Sequence, residues 1–368
     1  METESRLISG DLAKYLEFLR FCLDAACPLP SDLEQMDWTG LYDFGRKQAI
    51  IGVLYQGIQR LPEGGSRPPK DLELKWLTTT EKIRQKNQML NLVAVKLASN
   101  LKKAGMRGCL LKGQGNAMLY PDPSVRICGD IDMWVDGTRR QVDDFARQRL
   151  KKLDRSYHHV DYPILREVAI ELHYTPGYLC HFGHNARLQR FFEESKESQF
   201  SNLVELPGGA GAIAVPTGGM NRIYELVHVM HHFINHGIGL RHFIDYYYLL
   251  KQGFTAEEQK HDVELLDKLG MKKFAAGIMY VLQDMLGLPD RCLLLPPDKH
   301  LGQTIEWQVI SEGNFGKIDA RYASLGKNVV QRFFIKTSKV ARLLNVVPSE
   351  ASTIHVATLW HRIYVATH

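Results

Sequence analysis

The sequence changes its period at Gly105. Upstream, from Lys70 to Lys103, the apolar residues Leu74, Leu77, Ile83, Leu90, Val93, Leu97 and Leu101 recur at helical spacing without a proline, and the run closes on that glycine. This is the pattern of one long helix with a glycine at its C-terminal end. Downstream the texture becomes short and alternating. GMRGCLLKG reads as a strand entering a glycine turn, NAMLY as one or two helical turns stopped by the prolines of YPDPS, IDMWV as a strand and TRRQVDDFARQRLKKL as a helix. A further strand pair, SYHHVDY and EVAIELHY, follows. Strands alternating with helices predict a compact unit of mixed sheet over residues 105–190.

The flanks are helical. Leu12, Leu16, Leu19 and Leu23 open a helical lead-in that closes on the turn-forming LPEGGSRPP, so residues 1–104 form an N-terminal helical region. After residue 190, LPGGAGAIAVPTGG reads as a loop or short hairpin, MNRIYELVHVMHHFINHGIGLRHFIDYYYLLKQG as one or two strong helices, and 255–287 and 327–346 as further periodic segments. The expected class is therefore α+β: a small mixed-sheet core between helical N-terminal (1–104) and C-terminal (191–368) regions.

The 368 residues are enough to bury a real core and leave a cleft between units. Hydrophobic and charged fractions of 45% and 24% exclude a disordered or fibrous chain. No apolar run reaches membrane-spanning length and METESRLISGDLAKYLEF lacks a basic region followed by an apolar stretch, so the expected location is cytoplasmic, with no membrane partner. The six cysteines are scattered without a C-x-x-C pair, as free thiols in a reducing compartment would be. The net charge of +5 is mild, with its excess late in the chain at Lys317, Arg321, Lys327, Arg332, Lys336, Lys339 and Arg342; it reads as a solvated face or an attraction for an anionic partner.

The chemistry concentrates in LLKGQGNAMLYPDPSVRICGDIDMWVD, residues 110–136. On a strand Asp130 and Asp132 share one face while Ile131 and Met133 take the other. Two carboxylates so close repel, and hard oxygen donors at that spacing suit Mg²⁺ or Mn²⁺. Glu171, in VAIELHY, is the candidate third acid, alternating with Ile170 and Leu172 on a strand able to lie beside the first. Before the acids, the strand ends at Gly113 and Gly115, where backbone N–H groups can receive phosphate. Lys112 and Arg126 add positive charge to the same pocket. A lone D-x-D or K-G carries little; the order strand, K-G, short helix, Arg126, Gly129, acid pair, helix and later acid carries more.

That order resembles the DNA polymerase β-like nucleotidyltransferase superfamily. More narrowly, LLKGQGNAMLYPDPSVRICGDIDMWV with AIELHY is similar to the bacterial uncharacterised nucleotidyltransferase family, and more distantly to toxin-type nucleotidyltransferases of abortive-infection systems. The likeness spans roughly residues 10–250, with its specific motifs at 110–135 and 168–174. It implies that Asp130, Asp132 and Glu171 are the catalytic and metal-binding acids, that Lys112, Gly113, Arg126 and Gly129 face the triphosphate, and that a nucleoside monophosphate passes from an NTP to a hydroxyl acceptor, whether small molecule, protein or RNA. The superfamily often has G-S or G-G after the strand. Here Gln114 follows Gly113, so no serine hydroxyl is available and contact there would be through backbone. The competing readings are a non-catalytic nucleotide-sensing or partner-binding protein, and a metal-dependent phosphohydrolase.

Histidine is dense from His158 to His242. His228, His232 and His236 recur every fourth residue, and Arg241 with Asp245 forms an i, i+4 pair just beyond. His173, His228, His232 and Arg241 are candidate wall residues of the site. The spacing also fits zinc binding or a structural role, without an H-E-x-x-H motif. The His261–Asp262 dipeptide, the Cys180, His181 and His184 group, and Tyr246 to Tyr248 read more simply as a chance dipeptide, a surface loop and core aromatics.

Overall fold

The computed structural model describes residues 10–235, 237–313 and 344–367. His236, the late basic cluster and all but the last residues of the 327–346 segment lie outside them. An N-terminal group of helices, α1 (Gly10–Leu23), α2 (Trp38–Lys47) and α3 (Ile51–Gln59), packs against the start of the long α4 (Lys70–Lys103). Asp71 and Glu73 in the first turn of α4 and Lys102 and Lys103 in its last complement the helix dipole, and Gly105, at φ +78°, takes the left-handed step that ends it.

The core continues as β1 (Arg107–Leu111), α5 (Gly113–Ala117), β2 (Asp130–Asp136), α6 (Arg139–Arg147), β3 (His159–Asp161), β4 (Ala169–His173), α7 (Phe182–Ser201), β5 (Leu203–Leu206) and β6 (Gly211–Ala214). The helical remainder is α8 (Gly218–Asn235), α9 (Leu240–Lys251), α10 (Ala256–Lys268), α11 (Lys272–Leu286), α12 (Lys299–Glu312) and α13 (Pro348–Thr367). Capping boxes start α6, with Thr138 and Gln141, and α10, with Thr255 and Glu258. The strands form one mixed sheet in the order β3-β4-β2-β1-β6-β5, with β2 parallel to β4, β1 parallel to β6 and the other pairs antiparallel. The α+β expectation holds.

One face of the sheet, with Leu110, Ile131, Met133 and Ile170, packs against Leu90, Ala94 and Leu97 of α4 and Val142 and Phe145 of α6. The other carries Cys109, Leu111 and Trp134 into a second core with Leu188 and Phe192 of α7 and the apolar residues of α8 to α11. Alternation along β2 therefore aims Asp130 and Asp132 at the α7–α8 side. The sheet extends past the expected 105–190 unit, because the glycine-rich 203–214 segment is a hairpin whose β6 pairs with β1. Its Gly208 and Gly209, both at positive φ, make the turn. Among the described residues no helix is long and apolar enough to cross a membrane.

Candidate active site

The parallel register of β2 and β4 sets Glu171 directly across from Asp132, and Trp134 across from His173. Two acids from one strand and one from its neighbour thus converge on the same face. Asp130 and Glu171 border a cavity of about 390 Å³ whose walls also include Lys112, His173, His228 and His232. Tyr178, Tyr224, His158, His159 and His231 complete much of the lining. Asp132, only 2% exposed, lies just behind this wall.

Asp132 is the electrostatic anchor. Its Oδ2 is 2.8 Å from Lys112 Nζ and its Oδ1 is 3.1 Å from His173 Nε2. Burial by itself would raise this carboxyl, but Lys112 and His173 outweigh it and hold the pKa well below the usual carboxylate range. Asp130 moves the other way, raised first by the charge on Asp132 and then by burial. His173 also donates to Glu171 Oε2 at 3.2 Å. Its pKa is pushed up to about 9, since these carboxylate contacts outweigh the desolvation that would lower it. His159 Nδ1 lies 3.1 Å from Glu171 Oε2 on the open side, with a pKa lowered to about 4, chiefly by burial. His228, half-buried at the cavity wall and with Nε2 3.2 Å from Lys112 Nζ, is held neutral by desolvation and then by that ammonium.

The turn before the acids is tight. Lys112 has φ +48°, unusual for a residue with a side chain, and Gly113 follows at φ +44°. That conformation, more than crowding, calls for glycine at 113: an added Cβ would meet only Asp130 O, at 3.5 Å. Gly115 is needed for close approach, since a Cβ there would press on Val215 and Leu110 O at 3.2–3.3 Å. At Gly129 a Cβ would meet nothing within 4 Å, so no steric demand fixes that glycine. The helix after the turn, α5, has five residues, which leaves it a weak dipole.

Arg126 does not face the cavity. It is 4% exposed, and its Nε and Nη2 grip Asp245 in a bidentate pair at 2.7 and 2.6 Å. The expected triphosphate contact is replaced by a structural one, because α9 delivers a buried carboxylate that the guanidinium must compensate. Arg241, expected to pair with Asp245, instead donates to Ile127 O at 2.9 Å and lies against His242, outside the cavity wall. Beside them Asn116 donates to Glu225 at 2.6 Å and receives from Asn221, while Tyr120 donates to Asp245 at 2.6 Å. Burial and Asp245 lift Glu225 to about 7. This network, which sequence reasoning missed, ties the turn to α8 and α9. His158 and His159 were missed as wall residues; their signal was a pair of histidines entering a strand next to the one bearing Glu171.

The other candidates resolve structurally. Cys180 and His181 give their backbone N–H groups to Glu350 of α13, and His181 caps α7. Asp262 pairs with Arg222 at 2.6 Å, and Tyr246 to Tyr248 are buried.

The donor set fits a divalent cation. Oxygens of Asp132 and Glu171 and a ring nitrogen of His173 lie within 4.8 Å of one another, with Asp130 at the same wall. Carboxylates suit hard ions such as Mg²⁺ and Mn²⁺, and the His173 imidazole joins the donor set only by giving up the proton it now directs at the two carboxylates.

Comparison with known proteins adds a family. Residues 34–287 match the sequence profile of a family described as uncharacterised nucleotidyltransferase. No curated protein matches the chain. Among solved structures, an antigenic nucleotidyltransferase-like protein from Paracoccidioides brasiliensis aligns over 58% of this chain and 95% of its own, at 13% identity and a TM-score of 0.35.

Proposed function

The chain belongs to the uncharacterised nucleotidyltransferase family, and from that premise we propose that it moves a nucleoside monophosphate from an NTP to a hydroxyl acceptor and releases pyrophosphate. The observation that carries the reading is the register: Glu171 on β4 lies opposite Asp132 of β2, so that Asp130 and Glu171 border one cavity with Asp132 just behind its wall. Asp130, Asp132 and Glu171, with His173 beside them, would hold a Mg²⁺ or Mn²⁺ ion, which when bound would supply positive charge to the transferred phosphoryl group.

The chain's own groups do the rest. Lys112 places its ammonium at the cavity wall beside Asp132, where it would neutralise phosphate oxygens. Glu171, with 29% of its side chain exposed against 2% for Asp132, is the carboxylate an acceptor hydroxyl can reach and the one placed to polarise it. The neutral imidazole of His228 backs Lys112 without adding a competing charge. His173 bridges Asp132 and Glu171 and keeps both carboxylates aimed at the cavity.

The test is incubation with each α-labelled NTP, Mg²⁺ or Mn²⁺, and fractions of a cell lysate. Label appearing on an acceptor, and lost in the Asp130→Asn protein, supports transfer. Label that stays on nucleotide under every condition would leave the nucleotide-sensing alternative.

A further inference from the structure

The helical layer on the sheet face turned away from the acid-lined cavity is strongly basic. There α4 packs on β1, β2 and β6, and α6 lies beside it toward β3 and β4, with Phe145 against Tyr162 and Asp143 accepting from Tyr174. The apolar sides of the two helices share one core, so their outer sides turn to solvent together. No residue from 82 to 103 is acidic. Lys82, Lys86, Lys96 and Lys103 are exposed on this stretch, and helical spacing gathers them within about 100° of the circumference over a length of about 32 Å. Arg140 and Arg147 extend the basic surface on α6, where Asp144 is their shared acid. Past the end of α6, Leu150 and Leu153 turn back to the core and leave Arg149, Lys151 and Lys152 exposed. Among the described residues no ion pair engages these three cations or the four lysines of α4.

Cations spread over such a length, without acids to neutralise them, are complementary to a regular array of phosphates. Gln85, Gln88, Ser99 and Gln148 are exposed among them and can donate to phosphate and ribose oxygens. No aromatic ring is exposed on α4 or α6, so the unstacked bases of a single strand find no platform. Among the described residues from 82 to 153, Leu92 is the one large apolar side chain exposed, too little to anchor the layer in a lipid surface. We propose that the α4–α6 layer docks the phosphate backbone of a nucleic-acid duplex. The surface lies across the sheet from the acids, so it acts as a tether and presents no base to Lys112, and it stands independently of nucleotidyl transfer.

The probes are short fluorescein-labelled RNA and DNA duplexes of mixed sequence, followed by anisotropy as the full chain is added in EDTA, so that no divalent ion engages the acid-lined cavity. Saturable binding is expected for at least one duplex, at least tenfold tighter than for its separated strands. Its log affinity should fall against log salt with a slope of about −4, as about four or five neutralised phosphates give. A variant carrying Lys86→Gln, Lys96→Gln, Lys103→Gln and Arg149→Gln should bind at least tenfold more weakly and with a flatter slope. A control carrying Lys260→Gln, Lys268→Gln, Lys272→Gln and Lys273→Gln removes the same charge from α10 and α11 and should bind as the wild type does. All eight side chains are exposed, so both variants are expected to fold. No saturation by either duplex, equal affinity for single strands, an equal loss in the two variants, or binding to phosphatidylserine vesicles in place of either duplex would each overturn the site. Transfer is read with NTP and metal present, so its failure and the failure of this docking surface are separate results.

Discussion

Asp130 and Asp132 are two residues apart and chemically identical, yet the structure gives them opposite energetic roles. Asp132 is buried and compensated by Lys112 and His173, whereas Asp130 carries the repulsion. Asp132→Asn leaves a lysine without its carboxylate in a desolvated place, and breaking such a pair costs about 3–5 kcal/mol. Asp130→Asn relieves the like charge and should raise the melting temperature slightly. Thermal melts of both variants in EDTA at neutral pH check this; a fall of similar size in both would show that the two carboxylates are equivalent. Both should lose transfer. Glu171→Gln should lower kcat more than it weakens NTP binding if the residue polarises the acceptor, and an equal loss in a binding titration would reassign it to gripping the nucleotide.

At the scale of elements, the segment from α5 to β2 is fastened to α8 and α9 by buried polar pairs rather than by apolar packing alone. Arg126→Ala should lower the unfolding free energy by about 3–5 kcal/mol, since it strands the Asp245 carboxylate. Asp245→Ala in the same protein should recover part of that loss, with a coupling energy on the order of 1–3 kcal/mol in a double-mutant cycle by urea unfolding. Additive losses would mean that Arg126 acts elsewhere. The case shows what local pattern can and cannot convey. The acids of β2 and β4 were legible because alternation fixes the face of a strand side chain. Arg126 was misread as a triphosphate contact because the partner that claims it lies 119 positions away, and no local spacing encodes that. The β5–β6 hairpin was visible as a turn, but its place in the sheet rests on a parallel pairing with β1 across the intervening core, which periodicity does not reveal.

Across the whole molecule, the N-terminal and C-terminal helical regions share one core: α1 packs on α11, and α11 on α12. Arg20 of α1 joins them further by donating to the Asp284 and Met285 carbonyls at the end of α11. Glu306 of α12 faces this assembly with one carboxylate oxygen buried and unpartnered. Burial first, and then the nearby charge of Asp284, raise its pKa from 4.5 to about 8. The folded state therefore keeps a proton there that the unfolded chain releases near pH 4.5, so this stabilisation is complete below that value and is lost as pH rises through about 8. Glu306→Gln retains a neutral side chain at every pH. The melting temperature of the wild-type protein should accordingly decline relative to the Glu306→Gln variant between about pH 5 and 8 and run parallel to it above. A difference that stays constant across that window would mean that Glu306 titrates with an ordinary pKa, and that the α11–α12 contact is indifferent to its charge.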